Sequence, residues 1–77
     1  MTEKILTNAY IVGMYLLKNE NINIKKIHNK LNGIIIEYNH KRYGGRSVYI
    51  TENTDIERIF FAIDNDGDED YEYERHR

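Results

Sequence analysis

Cysteine, proline and tryptophan are all missing from this chain of 77 residues. Without cysteine there is no disulfide, no thiolate nucleophile and no Cys-based zinc site. A reducing, cytoplasmic setting is the expected one. The lack of Pro and Trp, beside abundant Ile, Asn, Lys and Tyr, is the composition of AT-rich coding sequence and carries no mechanism. Long hydrophobic runs are missing too. Residues 9–17 (AYIVGMYLL) are far too few to cross a bilayer, which takes about 20 apolar residues. The N-terminus does not read as a secretory signal, because Glu3 and Lys4 cancel and no small-residue cleavage site follows. Motifs for chemistry are equally scarce. His28, His40 and His76 are scattered without metal-ligand spacing, and Gly44-Gly45 lacks the strand, loop and helix context of a phosphate loop. Ser47 has no nucleophile motif, and carboxylates in a solvated run lack the contrasting environments that acid–base catalysis needs. A non-catalytic protein without metal or cofactor is expected.

Seventy-seven residues make one domain near the lower limit for independent folding, so a further source of stability is expected. Charge is unevenly placed. Residues 1–63 carry nine Lys/Arg against six Asp/Glu, and residues 64–77 carry two against seven, within a net charge of -2. A body and a tail of opposite sign can attract each other or meet different partners. This division suggests a single α+β domain over residues 1–66 and an acidic segment, tail or edge strand, over residues 67–77.

The spacing of apolar residues predicts a helix over residues 3–19. Ile5, Ala9, Val12 and Leu16 make one stripe, widened by Leu6, Tyr10, Gly13 and Leu17. Ile11, Met14 and Tyr15 project elsewhere and form a candidate face for a second copy or a target. Residues 23–31 support two readings. Asn23 can cap a short helix carrying Ile24, Ile27 and Leu31 on one side. Alternatively a strand enters an Asn32-Gly33 hairpin turn. The pair Lys25-Lys26 breaks strand alternation, so the short second helix is the expectation, with Gly33 as its stop. Residues 34–38 (IIIEY) and 47–51 (SVYIT) read as the strands of an antiparallel hairpin. Its tip is basic: His40, Lys41, Arg42, Tyr43 and Arg46. Thr54-Asp55-Ile56-Glu57 fits a capping box, opening a helix that buries Ile56, Ile59, Phe60 and Ile63, points Phe61 elsewhere, and ends by about Asp64.

Two charged groupings are candidate binding surfaces. Asp66, Asp68, Glu69, Asp70, Tyr71, Glu72 and Tyr73 interleave carboxylates with aromatic rings. A row of carboxylates can occupy a groove lined by Lys and Arg for phosphates, and tyrosines suit interface hot spots. The EF-hand calcium-loop pattern is not met, because the glycine is misplaced and Arg75 stands where the bidentate Glu belongs. The second grouping, Lys25, Lys26, Lys41, Arg42 and Arg46, could contact a phosphate backbone as the wing of a winged-helix DNA-binding regulator does. No recognition helix follows Leu31, however, since Gly33 and three isoleucines come at once. The blander readings are a solubilising tail and a solvated hairpin.

From Gly33 to Asp70 the order is strand IIIEY, turn, strand SVYIT, acidic helix entry, helix IERIFFAI and acidic exit DNDGDED. It resembles small phage-encoded inhibitors of the anti-CRISPR type. The resemblance implies a stoichiometric inhibitor in a host cytoplasm. Its partner would be a nucleic-acid-binding effector protein, and its carboxylates would stand where a nuclease expects DNA. Direct DNA binding by a regulator and a homodimeric structural protein are the rival expectations.

Overall fold

The computed structural model describes residues 2–65. Thr2 opens the first helix: its hydroxyl accepts a hydrogen bond from the Ile5 amide at 3.2 Å, satisfying one of the free N–H groups of the first turn. The helix, α1 (Glu3–Lys18), places Glu3 at its positive end and Lys18 at its negative end. Ile5, Val12 and Leu16 are buried on one side. Asn8 is buried among them and donates from its amide to the Thr51 carbonyl at 2.9 Å, tying α1 to the far end of the sheet.

The next segment corrects the reading of residues 23–31 as a short helix. Residues 23–30 lie in a strand, β1 (Ile22–Lys30), which pairs antiparallel with β2 (Gly33–His40). The pair Lys25-Lys26, which argues against alternation in the sequence, is accommodated by a bulge. Ile24 faces Tyr38, Lys26 faces Glu37, and Lys25 is the extra residue between them. A bulge inserts one residue without ending the ladder, so alternation resumes on the other side in a new phase. Leu31 is on no buried stripe; it is 91% exposed in the tight turn to β2.

Strand β3 (Gly44–Ile50) completes a three-stranded antiparallel sheet in the order β1-β2-β3. Period-two alternation sends Ile34, Ile36, Tyr38 and His40 of β2 to one face, with Ile36 opposite Val48 and Ile34 opposite Ile50. The second helix, α2 (Ile56–Asn65), buries Ile59, Ala62 and Ile63, while Ile56 and Phe60 are half-buried and Phe61 is exposed. Its N-cap is Asp55 rather than the Thr54 of the expected capping box. The Asp55 carboxylate accepts from the Arg58 amide at 3.2 Å. Thr54 instead closes the preceding turn, accepting from the Thr51 amide at 2.7 Å. Both helices pack on the same face of the sheet, and the core is the layer between. Each buried Ile or Leu there stabilises the fold by about 2 kcal/mol. The chain is an α+β fold of two layers. No helix among the described residues is long and apolar enough to cross a membrane.

Candidate functional site

No described element covers the second face of the sheet. Register assigns its side chains in rows across the three strands. One row is His28, Ile35 and Tyr49, and the next is Lys26, Glu37 and Ser47. Beyond the first row, Lys30 stands opposite Gly33. The bulge adds Lys25 to this face, close enough with Lys26 to act on the Glu37 charge. Lys25, His28, Lys30, Ile35, Glu37 and Ser47 line a shallow, open concavity of about 580 Å³. Arg46 lines it too, although its place in β3 alternates with Val48 and Ile50; its guanidinium donates to the Gly45 carbonyl at 2.8 Å.

Electrostatically the face is basic with one internal pair. Glu37 is its sole carboxylate among the described residues, and its Oε2 meets His28 Nε2 across the strands. The His28 hydrogen bond, followed by the His28, Lys25 and Lys26 charges, holds the Glu37 carboxyl below the usual carboxylate range. Its negative charge is therefore already engaged, and the surrounding lysines present the field that an approaching ligand meets.

One end of the Tyr49 side chain lies over Gly33. A β-carbon at residue 33 would meet Tyr49 Cε1 at 2.9 Å, so the ring occupies space that any other residue there would claim. An aromatic ring that covers a glycine in a neighbouring strand is a known packing device. Tyr49 as a whole remains 44% exposed, next to Ile35.

Lys41 and Arg42, grouped in the sequence with Lys25, Lys26 and Arg46, are elsewhere. They belong to the β2–β3 turn, which His40 organises. The buried His40 ring accepts from the Arg42 amide at 3.0 Å and the Tyr43 amide at 3.4 Å through Nδ1, and packs on the Tyr43 ring at 4.5 Å. The Arg42 guanidinium lies 5.8 Å above that ring. The Tyr43 hydroxyl in turn donates to the Asp64 carbonyl at 3.2 Å, joining the turn to the end of α2. The five cations thus divide into a sheet-face group and a turn group.

Of the residues expected on a second-copy face, Tyr15 is used within the chain. It stacks on Phe60 with ring centroids 4.0 Å apart, and its hydroxyl donates to the Asp64 carboxylate. Burial and that carboxylate push the Tyr15 phenol up to about 12. Met14 is half-buried and Ile11 is 38% exposed; Leu6, Tyr10 and Leu17 are the more exposed apolar residues of α1. The acidic candidates Asp66, Asp68, Glu69, Asp70, Tyr71, Glu72 and Tyr73 lie outside the described residues. Among the described residues no group of three or more His, Cys, Asp or Glu is placed to hold a metal ion.

Sequence reasoning missed Lys30, His28, Glu37 and Tyr49 as members of one surface. The signal was present in Lys26-His28-Lys30, a period-two polar run, but it is visible only if residues 22–30 are taken as a strand. No family model, no curated protein and no solved structure matches the chain.

Proposed function

We propose that the protein is a non-catalytic binding module that holds the phosphate backbone of a nucleic acid on its open sheet face. The observation that carries this reading is the β1 bulge, which gathers Lys25 and Lys26 on the same face as Lys30. A sheet backed on its other side by two helices offers a firm base for such contacts. Three lysines releasing counterions from three phosphates give a salt slope of about -2 on a single strand and nearer -3 on a duplex. Raising salt fourfold then weakens binding by roughly 20- to 40-fold.

The test is fluorescence anisotropy of labelled oligonucleotides with the full-length chain across a salt series. The expected result is salt-sensitive binding that Lys25→Ala/Lys26→Ala/Lys30→Ala removes and Lys41→Ala/Arg42→Ala largely keeps. Absence of binding at low salt would sink the reading, as would loss caused by the turn variant alone.

A second reading keeps inhibition of a CRISPR-type effector through the carboxylates and tyrosines of residues 66–73. The observation in its favour is the fixed end of α2, where Tyr15 and Tyr43 both bond to Asp64. Such a bolted helix end is a firm point from which to present an acidic segment. Stoichiometric block of DNA cleavage by a CRISPR nuclease, relieved by Asp66→Asn/Asp68→Asn/Asp70→Asn, is its expected signature. Unimpaired cleavage at excess protein overturns it.

A further inference from the structure

Resting on the first of these readings, we infer that the ligand is single-stranded, with a base stacked on the Tyr49 ring while Lys30 and the Lys25-Lys26 pair hold the adjoining phosphates. Three observations converge on this. The Tyr49 ring covers Gly33, which lacks a side chain, and its outward surface is exposed. Lys30 is directly across from Gly33, the residue that the ring covers, so a cation stands on the same face one row beyond Tyr49. Ile35 sits between His28 and Tyr49 in the three-strand row and extends the apolar footing beside the ring.

Shape argues the same way. A major groove about 12 Å wide admits a helix or a two-stranded ribbon. A three-stranded sheet with both helices behind it presents a broad face instead, which meets a duplex only at its phosphates. An unpaired base, by contrast, can leave its own stack and lie on an aromatic ring, and the contact tolerates any base because each has a π-face. Gly33 serves this arrangement by leaving room for the ring, and the β2–β3 pairing holds Tyr49 at that height. The Glu37 carboxylate, engaged by His28, is the one repulsive group a phosphate would meet among the described residues of this face.

The experiment measures anisotropy of labelled oligo-dT and oligo-rU, about 12 nucleotides long, against a duplex of the same length. The proteins are the full-length chain and its Tyr49→Phe and Tyr49→Leu variants, each checked by thermal melting. Leucine keeps an apolar cover over Gly33 without a π-face. The expected result is single-strand affinity at least tenfold above duplex, about tenfold loss in Tyr49→Leu at an unchanged salt slope, and near-native binding by Tyr49→Phe. The stronger of the two single-strand arms assigns the sugar of the ligand. Equal affinity for duplex, or an unaffected Tyr49→Leu variant, overturns the stacking inference and leaves phosphate binding standing. Failure of all three oligonucleotides to bind overturns both.

Discussion

Replacing Gly33 with alanine tests the packing that supports the open face. The added β-carbon would lie 2.3 Å from the Ile50 carbonyl oxygen, 3.3 Å from the Ile50 carbonyl carbon and 2.9 Å from Tyr49 Cε1. Carbon–oxygen contacts in sheets settle at about 3.3–3.6 Å, so roughly 1 Å of movement is required. The tyrosine ring can swing aside, but the Ile50 carbonyl belongs to the main chain of β3, whose register with β2 is set by Ile34 and Ile50. Overpacking costs about 1–3 kcal/mol, and a backbone obstacle places this site at the upper end. Alanine recovers about 0.4–1 kcal/mol by narrowing the unfolded ensemble. The net loss is then about 2 kcal/mol. For a domain of this size that lowers Tm by about 8–16 °C. Thermal and urea melts provide the assay, with Gly13→Ala as the control. Gly13 lies inside α1, and a β-carbon added there would meet nothing within 4 Å, so alanine adds about 1 kcal/mol of stability. If Gly33→Ala melts within about 0.5 kcal/mol of wild type, the sheet yields freely at this point and the packing argument for Tyr49 fails.

Asn8→Ala removes the amide that reaches the Thr51 carbonyl and should cost about 1–3 kcal/mol, because a partly buried acceptor loses its partner; a urea midpoint equal to wild type would contradict that bond. The Tyr15 phenol carries a pH signature. Its folded value, about 12, lies above its ordinary 10.0, so the stability it contributes is complete below pH 10.0 and is lost as pH rises toward 12. The melting difference between wild type and Tyr15→Phe should therefore shrink over that window, and a constant difference would refute the assignment.

Much of the helical structure was legible because its causes are local. The stripe through Ile5, Val12 and Leu16 marks α1, and the stripe through Ile59 and Ile63 marks α2. The β-branched run of residues 34–36 reads directly as a strand. For β1 the same local logic misled. A helix and a bulged strand make similar demands on residues 23–31, and only pairing with β2 distinguishes them. Thr54 and Asp55 compete for one N-cap by similar chemistry, and the turn that uses the Thr54 hydroxyl decides between them.

By itself, then, the sequence determined the α+β class, both helices, the β2–β3 hairpin and the separation of charge between residues 1–63 and 64–77. All of these follow from spacing and composition along the chain. Tertiary structure decided which cations share a surface. Side chains far apart in sequence become neighbours through cross-strand register, and a single bulged residue shifts that register by one. The extra Lys25 thus sends Lys26, His28 and Lys30 to the face opposite the helices, while His40 and Tyr43 keep Lys41 and Arg42 at the turn.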